Sequence, residues 1–423
     1  MTVDTVDTVD VVVCGAGVGG LVCAHALAKR GLRVLLLEKQ KQPVALAKGE
    51  VFQPSSLAVL RDLGLLPRLV ERGAVQLERL VVRGADGEPL LAFEYSTLPG
   101  SDRSLLALDY AEILEVLGDT LPESVSVRRG ALVTDVLKDP SGRRVTGVAY
   151  SVDGQRRTAI APLVVAADGI SSRLREFAAI SARPVKYGHR LVSFELSDVR
   201  DRPPEVSAYM SSGGLRLLYP LPGNRLRLYV QVAPDSLRRM SRNDLAEWCS
   251  AVCADTSPLA SLRQPLLNGI GTRQVHTLWR FSASRLTAPG LALVGESAHA
   301  VHPMAAQGMN TAVSDAHMLA GQLTADRLTP DAVDDALARY DARRRRWIRH
   351  VDLISHDATK MITSTSWAGR LVAQHLLRRT GDNPRLCYIA TYNLSGSGMH
   401  PFTVMDRLHQ VGLPDLRADR VAF

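Results

Sequence analysis

Three glycines, Gly15, Gly17 and Gly20, stand at the spacing G-x-G-x-x-G in "GAGVGG", and an acid, Glu38, follows them. This pattern can hold an anion without a charged side chain. The first glycine permits a tight turn, the second lets the backbone approach a pyrophosphate, and the third lets a helix pack closely on a strand. A carboxylate at the end of the next strand can accept hydrogen bonds from ribose hydroxyls. A second group of chemically able residues lies in "ADGISSRLR", with Asp168, Gly169, Ser172, Arg173 and Arg175. A third is "GESAHAVHPMAAQGMN", which combines Gly295, Glu296, His299, His302, Pro303 and a closing Gly308-Met309-Asn310.

Each group needs elements to hold it. Val9 to Val13 is β-branched except for Asp10, as in a strand covered on both faces. From Gly20 onward Leu21, Ala24, Leu27 and Ala28 recur at helical spacing, and Gly31 closes the helix. Arg33 to Leu37 is a second buried strand, ended by Glu38. Strand, helix and strand around the glycines make a dinucleotide site, with FAD and NAD both open at this point. The helix amino end adds free N–H groups and partial positive charge. A buried strand also precedes Asp168-Gly169, a pair that alone reads as a turn. The late segment repeats this layout, with a strand over Leu291 to Val294, a turn stiffened by Pro303, and a helix from about Gly308.

The three signatures in this order resemble the class A flavin-dependent monooxygenases, the superfamily of p-hydroxybenzoate hydroxylase, ubiquinone-biosynthesis hydroxylases and squalene epoxidase. The resemblance runs from about Val9 to about Arg349. "GEVFQP" after the second strand is closest to the quinone-hydroxylase and squalene-epoxidase branch. The family fold is α/β: a Rossmann-type FAD-binding domain, an inserted mostly antiparallel β-sheet substrate domain, and C-terminal helices. The resemblance implies that Gly15, Gly17, Val18 and Gly20 hold the FAD pyrophosphate. It places Glu38, Lys39 and Val133 at the adenosine end, and Lys48 and Gln53 on the segment after the second strand. Asp168 and Gly169 would serve FAD and the nicotinamide donor. Gly295, Glu296 and Pro303 would lie along the ribityl chain, and Gly308, Met309 and Asn310 against the isoalloxazine ring. One long cofactor gripped at both ends explains why the chain returns to it so late.

By the same resemblance, NADH or NADPH reduces FAD, O2 adds to it, and a C4a-hydroperoxide delivers one oxygen atom to a hydrophobic small molecule. Hydroxylating a phenol requires a base, whereas epoxidising an alkene does not. His302 is the one catalytic candidate kept, although a structural or flavin-contact role is favoured for it and for His299. Cys14 and Cys253 read as packing. The substrate sheet is expected over about 186–276, with a contribution from 75 to 95. Its strands offer Phe194, Tyr209, Leu217, Tyr219 and Tyr229, and alternation aims some of these, not specified by the sequence, at the flavin face. "YPLPGNRLRLYVQV" reads as a hairpin turning at Pro-Gly-Asn. Departures from the family are Glu296 for the usual Asp, Lys39 for the common Arg, and Tyr110 near the place of an Arg that contacts the cofactor.

The chain has 423 residues, a net charge of +8, 46 % hydrophobic and 22 % charged residues, an ordinary globular composition. The basic run "RYDARRRRWIRH" reads as a solvated helix face, so nucleic acid is not expected as a partner. The five cysteines form neither a metal frame nor a disulfide frame and suit a reduced cytoplasmic setting. The uncharged stretch Val11 to Ala28 contains four glycines and lacks a basic start, so neither a membrane span nor a secretory signal is expected. "TVDTVDTVD" reads as a frayed tail that grades into the first strand. Expected boundaries are 1–74, 101–185 and 277–350 for FAD binding, 75–100 and 186–276 for substrate, and 351–423 for C-terminal helices. The last part is read as helical to Arg379 and irregular beyond. A homodimer contact or a covered active-site mouth are its expected uses. The competing readings are a flavin-dependent reductase of an isoprenoid or polyene double bond and a non-catalytic FAD-binding scaffold. The reductase signature Y-x-W-x-F-P and the halogenase signature W-x-W-x-I-P are both missing.

Overall fold

The computed structural model of the chain describes residues 6–43 and 47–420. Its centre is a six-stranded sheet in the order Thr287–Ala288, Leu291–Leu293, Leu163–Ala166, Val11–Cys14, Val34–Glu38, Val125–Arg129. All neighbours run parallel except the first pair. The three signature-bearing strands are therefore adjacent, and their carboxyl ends open on one edge, where ligands bind in sheets of this type. The helix Val18–Ala28 is buried along most of its length and packs on the helix Gln307–Ala320. Burying apolar side chains all round suits a helix wedged between sheet and helix.

A four-stranded sheet flanks the centre in the order Val6–Thr8, Gln155–Ile160, Val145–Val152, Ala131–Lys138. The opening repeat is thus not wholly a frayed tail. Val6–Thr8 pairs in parallel with Gln155–Ile160, and Asp7 accepts from Arg128 and from the Tyr150 hydroxyl, both at 2.6 Å. Residues 1–5 of the repeat lie outside the described residues.

The third layer is an eight-stranded sheet: His299–Ala300, Gln274–Ser282, Val185–Leu196, Arg225–Val232, Gly214–Leu221, Glu205–Ser211, Arg79–Gly84, Pro89–Glu94. Its pairings are antiparallel apart from Glu205–Ser211 on Arg79–Gly84. The hairpin turns at Pro222-Gly223-Asn224, where Gly223 (φ 74°) and Asn224 (φ 57°) take the left-handed conformation those types tolerate. Alternation splits the sheet into two apolar faces. Leu191, Ala208, Leu217, Tyr219 and Tyr229 share one cluster, while Val192, Phe194, Tyr209, Leu218 and Leu228 pack in another with Cys249 and Cys253 of the helix Arg242–Ala254.

The chain beyond Arg379 is irregular only in part, over 395–403 and 411–420. Helices run Trp367–Gly381, Pro384–Leu394 and Val404–Gln410. "DNPRL" looks like a turn, yet Asn383 caps a helix by accepting from Leu386 N, and Pro384 occupies the first turn, where its missing N–H costs nothing. The helix Pro330–Ile362 carries the arginine run, with Arg343, Arg345, Arg346 and Arg349 exposed but Arg344 fully buried. Among the described residues no helix is long and apolar enough to cross a membrane.

Candidate active site

The edge of the central sheet opens into a cleft of about 790 Å³, a volume in the range of small-molecule and cofactor sites. It begins at the glycine loop. Gly15 sits at φ +109°, and a Cβ there would lie 2.2 Å from the Ala167 carbonyl oxygen. A Cβ on Gly20 would lie 1.9 Å from the Gly15 oxygen. Gly15 and Gly20 therefore hold the loop against its neighbours. Gly17 is different: a Cβ there would meet only the Tyr110 hydroxyl, at 3.6 Å, on the cleft side. Val18 and Lys39 also line this end, as does Val133 on the adjoining strand.

Glu38 ends its strand with its carboxylate already oriented. Oε2 accepts from Ala16 N and Oε1 from Gln40 N, each at 2.7 Å, and lone pairs remain on both oxygens for hydroxyl donors. Tyr110, at the start of the helix Tyr110–Asp119, faces this loop beside Val18, and burial pushes its phenol up to about 12. The neutral hydroxyl supplies a hydrogen bond but no charge at this end of the cleft.

Further along lies Asp168. Its Oδ2 accepts from Leu174 N at 3.3 Å, while its buried Oδ1 has no partner among the described residues. Burial raises its pKa despite the help of Ser172 and Leu174 N–H. An unpaired buried acceptor is costly, and a ligand hydroxyl would satisfy it. Gly169 lines the cleft with no atom within 4 Å of a Cβ position. Arg175 ties this segment to the late turn, donating to the Ser297 and Ile170 carbonyls.

The late turn is anchored from behind. Asp315, fully buried, accepts from Gly295 N (2.9 Å), His299 Nε2 (2.7 Å) and Arg344 Nε (2.7 Å). Burial would raise its pKa, but Arg344, His299 and the Gly295 amide together hold it below the usual carboxylate value. His299 is thereby committed to Asp315. His302 is completely buried, does not line the cleft, accepts from Met304 N through Nδ1 and meets His189 Nε2 at 3.0 Å. Burial, then His189, pushes it down to about 3, so it is neutral and packed away from the cleft. The candidate acid–base role of His302 is not supported by its position.

On the cleft side of the turn, Glu296 pairs with Lys48 at 2.6 Å, across 248 residues of sequence. The helix Gln307–Ala320 starts one residue before Gly308, because Ala306 takes the left-handed conformation and sets the first turn. Gly308 and Met309 border the cleft with Pro303, and a Cβ at Gly308 would meet nothing within 4 Å. Asn310 lies behind the wall: Oδ1 accepts from Gln53 N, and Nδ2 donates to the Val51 and Ala306 carbonyls. It braces the strand Val51–Phe52 rather than lining the cleft, whereas Gln53 does line it.

Beyond the turn the cleft runs onto one face of the eight-stranded sheet, where Leu191, Val206, Leu217, Tyr219 and Tyr229 line it. Tyr209 does not, since a one-residue step in a strand reverses the face and it joins the opposite cluster. Three polar groups here escaped the sequence reading. Glu50 is bound bidentately by Arg227 and by the Tyr219 hydroxyl, and His276 lines the cleft beside them. Glu50 lies within "GEVFQP", but nothing local marks its pairing or the other two groups, because the partners lie far away in sequence. Arg344 was detectable. Val333, Leu337, Tyr340, Arg344, Ile348 and Val351 form a buried stripe at helical spacing, which puts one arginine of the run inside.

The loop, the unpaired Asp168 oxygen, the open glycine faces and the helix amino end fit an extended dinucleotide with a polyhydroxylated middle. Residues 8–352 match the family described as FAD binding domain. The chain belongs to that family. Ubiquinone hydroxylase UbiL of Rhodospirillum rubrum is 30 % identical over 355 residues, covering 79 % of this chain and 77 % of that protein. Squalene epoxidase 5 of Arabidopsis thaliana is 28 % identical over 315 residues, 72 % of this chain and 60 % of the relative. The structure of a Klebsiella pneumoniae HpxO variant complexed with FAD superposes with a TM-score of 0.74 at 22 % identity, covering 92 % of this chain and 99 % of that one. The protein is thus a flavoprotein monooxygenase with the class A fold, using FAD, NAD(P)H and O2.

Proposed function

We propose that this monooxygenase inserts one oxygen atom into a hydrophobic small molecule held on the apolar face of the eight-stranded sheet, in secondary-metabolite or quinone and isoprenoid biosynthesis. The observation that carries the reading is the continuity of the cleft, from the Gly17 loop past Asp168 and Gly308 to Leu191, Leu217 and Tyr229. FAD, when bound, supplies the redox chemistry that takes a hydride from NAD(P)H and sends one oxygen of O2 to the substrate and the other to water.

The chain's own part is binding, orientation and dryness. Gly17, Val18 and the amino end of the helix Val18–Ala28 would face the pyrophosphate. Glu38 would take ribose hydroxyls and Asp168 Oδ1 a hydroxyl nearer the ring. Lys48 would neutralise Glu296 where the polyol passes, and the Gly308–Met309 amides would oppose negative charge on the ring. The aliphatic wall excludes water from the reacting end.

The proposal includes the division into three FAD-binding segments with two substrate segments between them, a cytoplasmic setting, and a homodimer. Support for the dimer is the exposure of Trp367, Val372, Val404 and Leu416 on the C-terminal segment. Screening lipophilic candidates for stimulated NAD(P)H oxidation, with mass spectrometry for label from isotopic dioxygen, tests the reading. Labelled product is expected. Reduction of a double bond without label would support the reductase reading, and a loaded protein inert to NAD(P)H would support the scaffold.

A further inference from the structure

The substrate end of the cleft holds one histidine whose ring is positioned by the protein while one nitrogen is left for a ligand. His276 sits on the strand Gln274–Ser282 and lines the cleft. Its Nε2 lies 2.8 Å from the Ser193 hydroxyl oxygen, and Ser193 is fully buried on the neighbouring strand. The Ser193 hydroxyl also lies 3.5 Å from the Gln274 carbonyl oxygen. In the tautomer that carries its hydrogen on Nε2, the ring donates to the Ser193 oxygen, the serine hydrogen turns to that carbonyl, and Nδ1 keeps a free lone pair. The Tyr229 ring flanks the imidazole with centroids 5.8 Å apart and fixes its plane.

The neighbouring polar groups are already committed. The Tyr219 hydroxyl donates to Glu50 and the Tyr229 hydroxyl to the Ala47 carbonyl. Glu50 is filled by two Arg227 nitrogens and by Tyr219. His276 Nδ1 has no protein partner among the described residues. Burial first, then Lys48 and Arg227, pushes the imidazole down to about 4, so at neutral pH the ring is uncharged and one of its nitrogens is an acceptor.

We propose that His276 is a specificity-determining residue that accepts, through Nδ1, a hydrogen bond from a hydroxyl on the substrate, which makes the substrate a phenol or enol and the reaction a hydroxylation beside that group. The O–H bond stays on the substrate, and its oxygen lends electron density to the conjugated carbon framework that takes up oxygen. Lys48 and Arg227 stabilise negative charge on that oxygen. Ser193 is the positioning residue. The inference rests on the monooxygenase reading and narrows its substrate class.

The test uses the FAD-loaded protein, with 2-naphthol and 2-methoxynaphthalene as probes of one shape, with and without a hydroxyl hydrogen. Binding is read from perturbation of the flavin absorption band. The naphthol is expected to bind roughly tenfold more tightly, the order of one well-made hydrogen bond. His276→Leu should abolish the preference at unchanged FAD content, and Ser193→Ala should weaken it. Equal affinities, no binding of the naphthol, or a preference that survives His276→Leu would overturn the inference. Label from dioxygen entering a hydroxyl-free alkene at the same rate in wild type and His276→Leu would overturn it too, while leaving the monooxygenase reading standing. Absence of label in every product is the separate sign that the broader reading fails.

Discussion

Replacing Arg344 by Met removes a guanidinium while keeping most of the aliphatic stem. Arg344 and Asp315 are 2 % and 0 % exposed, so water cannot take over the lost bonds. Asp315 would keep His299 and the Gly295 amide but lose the cation that offsets its burial. Breaking a buried ion pair from one side costs about 3–5 kcal/mol. At roughly 2.1 cal/mol/K of unfolding entropy per residue, a chain of this length should melt about 3–6 °C lower. Circular dichroism melts of FAD-depleted protein read this directly. Because Asp315 holds the Gly295 amide, FAD retention through gel filtration should fall as well. The double variant Arg344→Met, Asp315→Leu should recover part of the melting temperature, since it leaves no uncompensated charge. A shift below 1 °C for the single variant, or a double variant worse than the sum of its parts, would refute the account of the turn's anchor.

Three further outcomes follow from the same geometry. Gly17→Asp should abolish FAD retention, because a carboxylate would occupy the space beside Tyr110 where the backbone approaches a pyrophosphate; a yellow, fully loaded variant would refute the assignment. Asp168→Ala should weaken FAD binding or slow its reduction, and unchanged titration and stopped-flow traces would reduce Asp168-Gly169 to a turn. His302 titrates at about 3 folded but near 6.5 unfolded, so between those values the unfolded chain binds more protons and stability falls as pH drops. The loss should reach about 2 kcal/mol by pH 5 for this one group. His302→Gln should flatten melting temperature against pH, and an unchanged slope would contradict the assignment.

The parts that were legible in the sequence are those in which a short stretch carries its own physical constraint. Gly15 and Gly20 could be read because backbone approaches as close as theirs exclude a Cβ, and the parallel strands because both of their faces are covered. The hairpin at Gly223-Asn224 was legible for a similar reason. Misreadings arose where a partner distant in sequence decides the outcome. Tyr209 alternates with cleft-lining positions, and only register tells its face. Asn310 sits in the expected turn, but Gln53 and Val51 draw its amide away from the cleft. His276, Ser193, Glu50 and Arg227 come together from three separate strands and a loop, and no spacing rule links them. Asn383-Pro384 lies in the stretch read as irregular, because a helix cap and a turn use the same residues.

The sheet that floors the cleft has a practical corollary for retargeting. Its outward layer, including Phe194, Tyr209 and Leu218, is sealed by a helix and carries the load of folding. Its inward layer, including Leu191, Val206 and Leu217, borders the guest molecule. Variant libraries confined to the inward positions can therefore reshape the chamber for new compounds without entering the cluster that packs on the helix, provided that side-chain volume is kept. A step of one position along a strand moves the change into the cluster under the helix Arg242–Ala254.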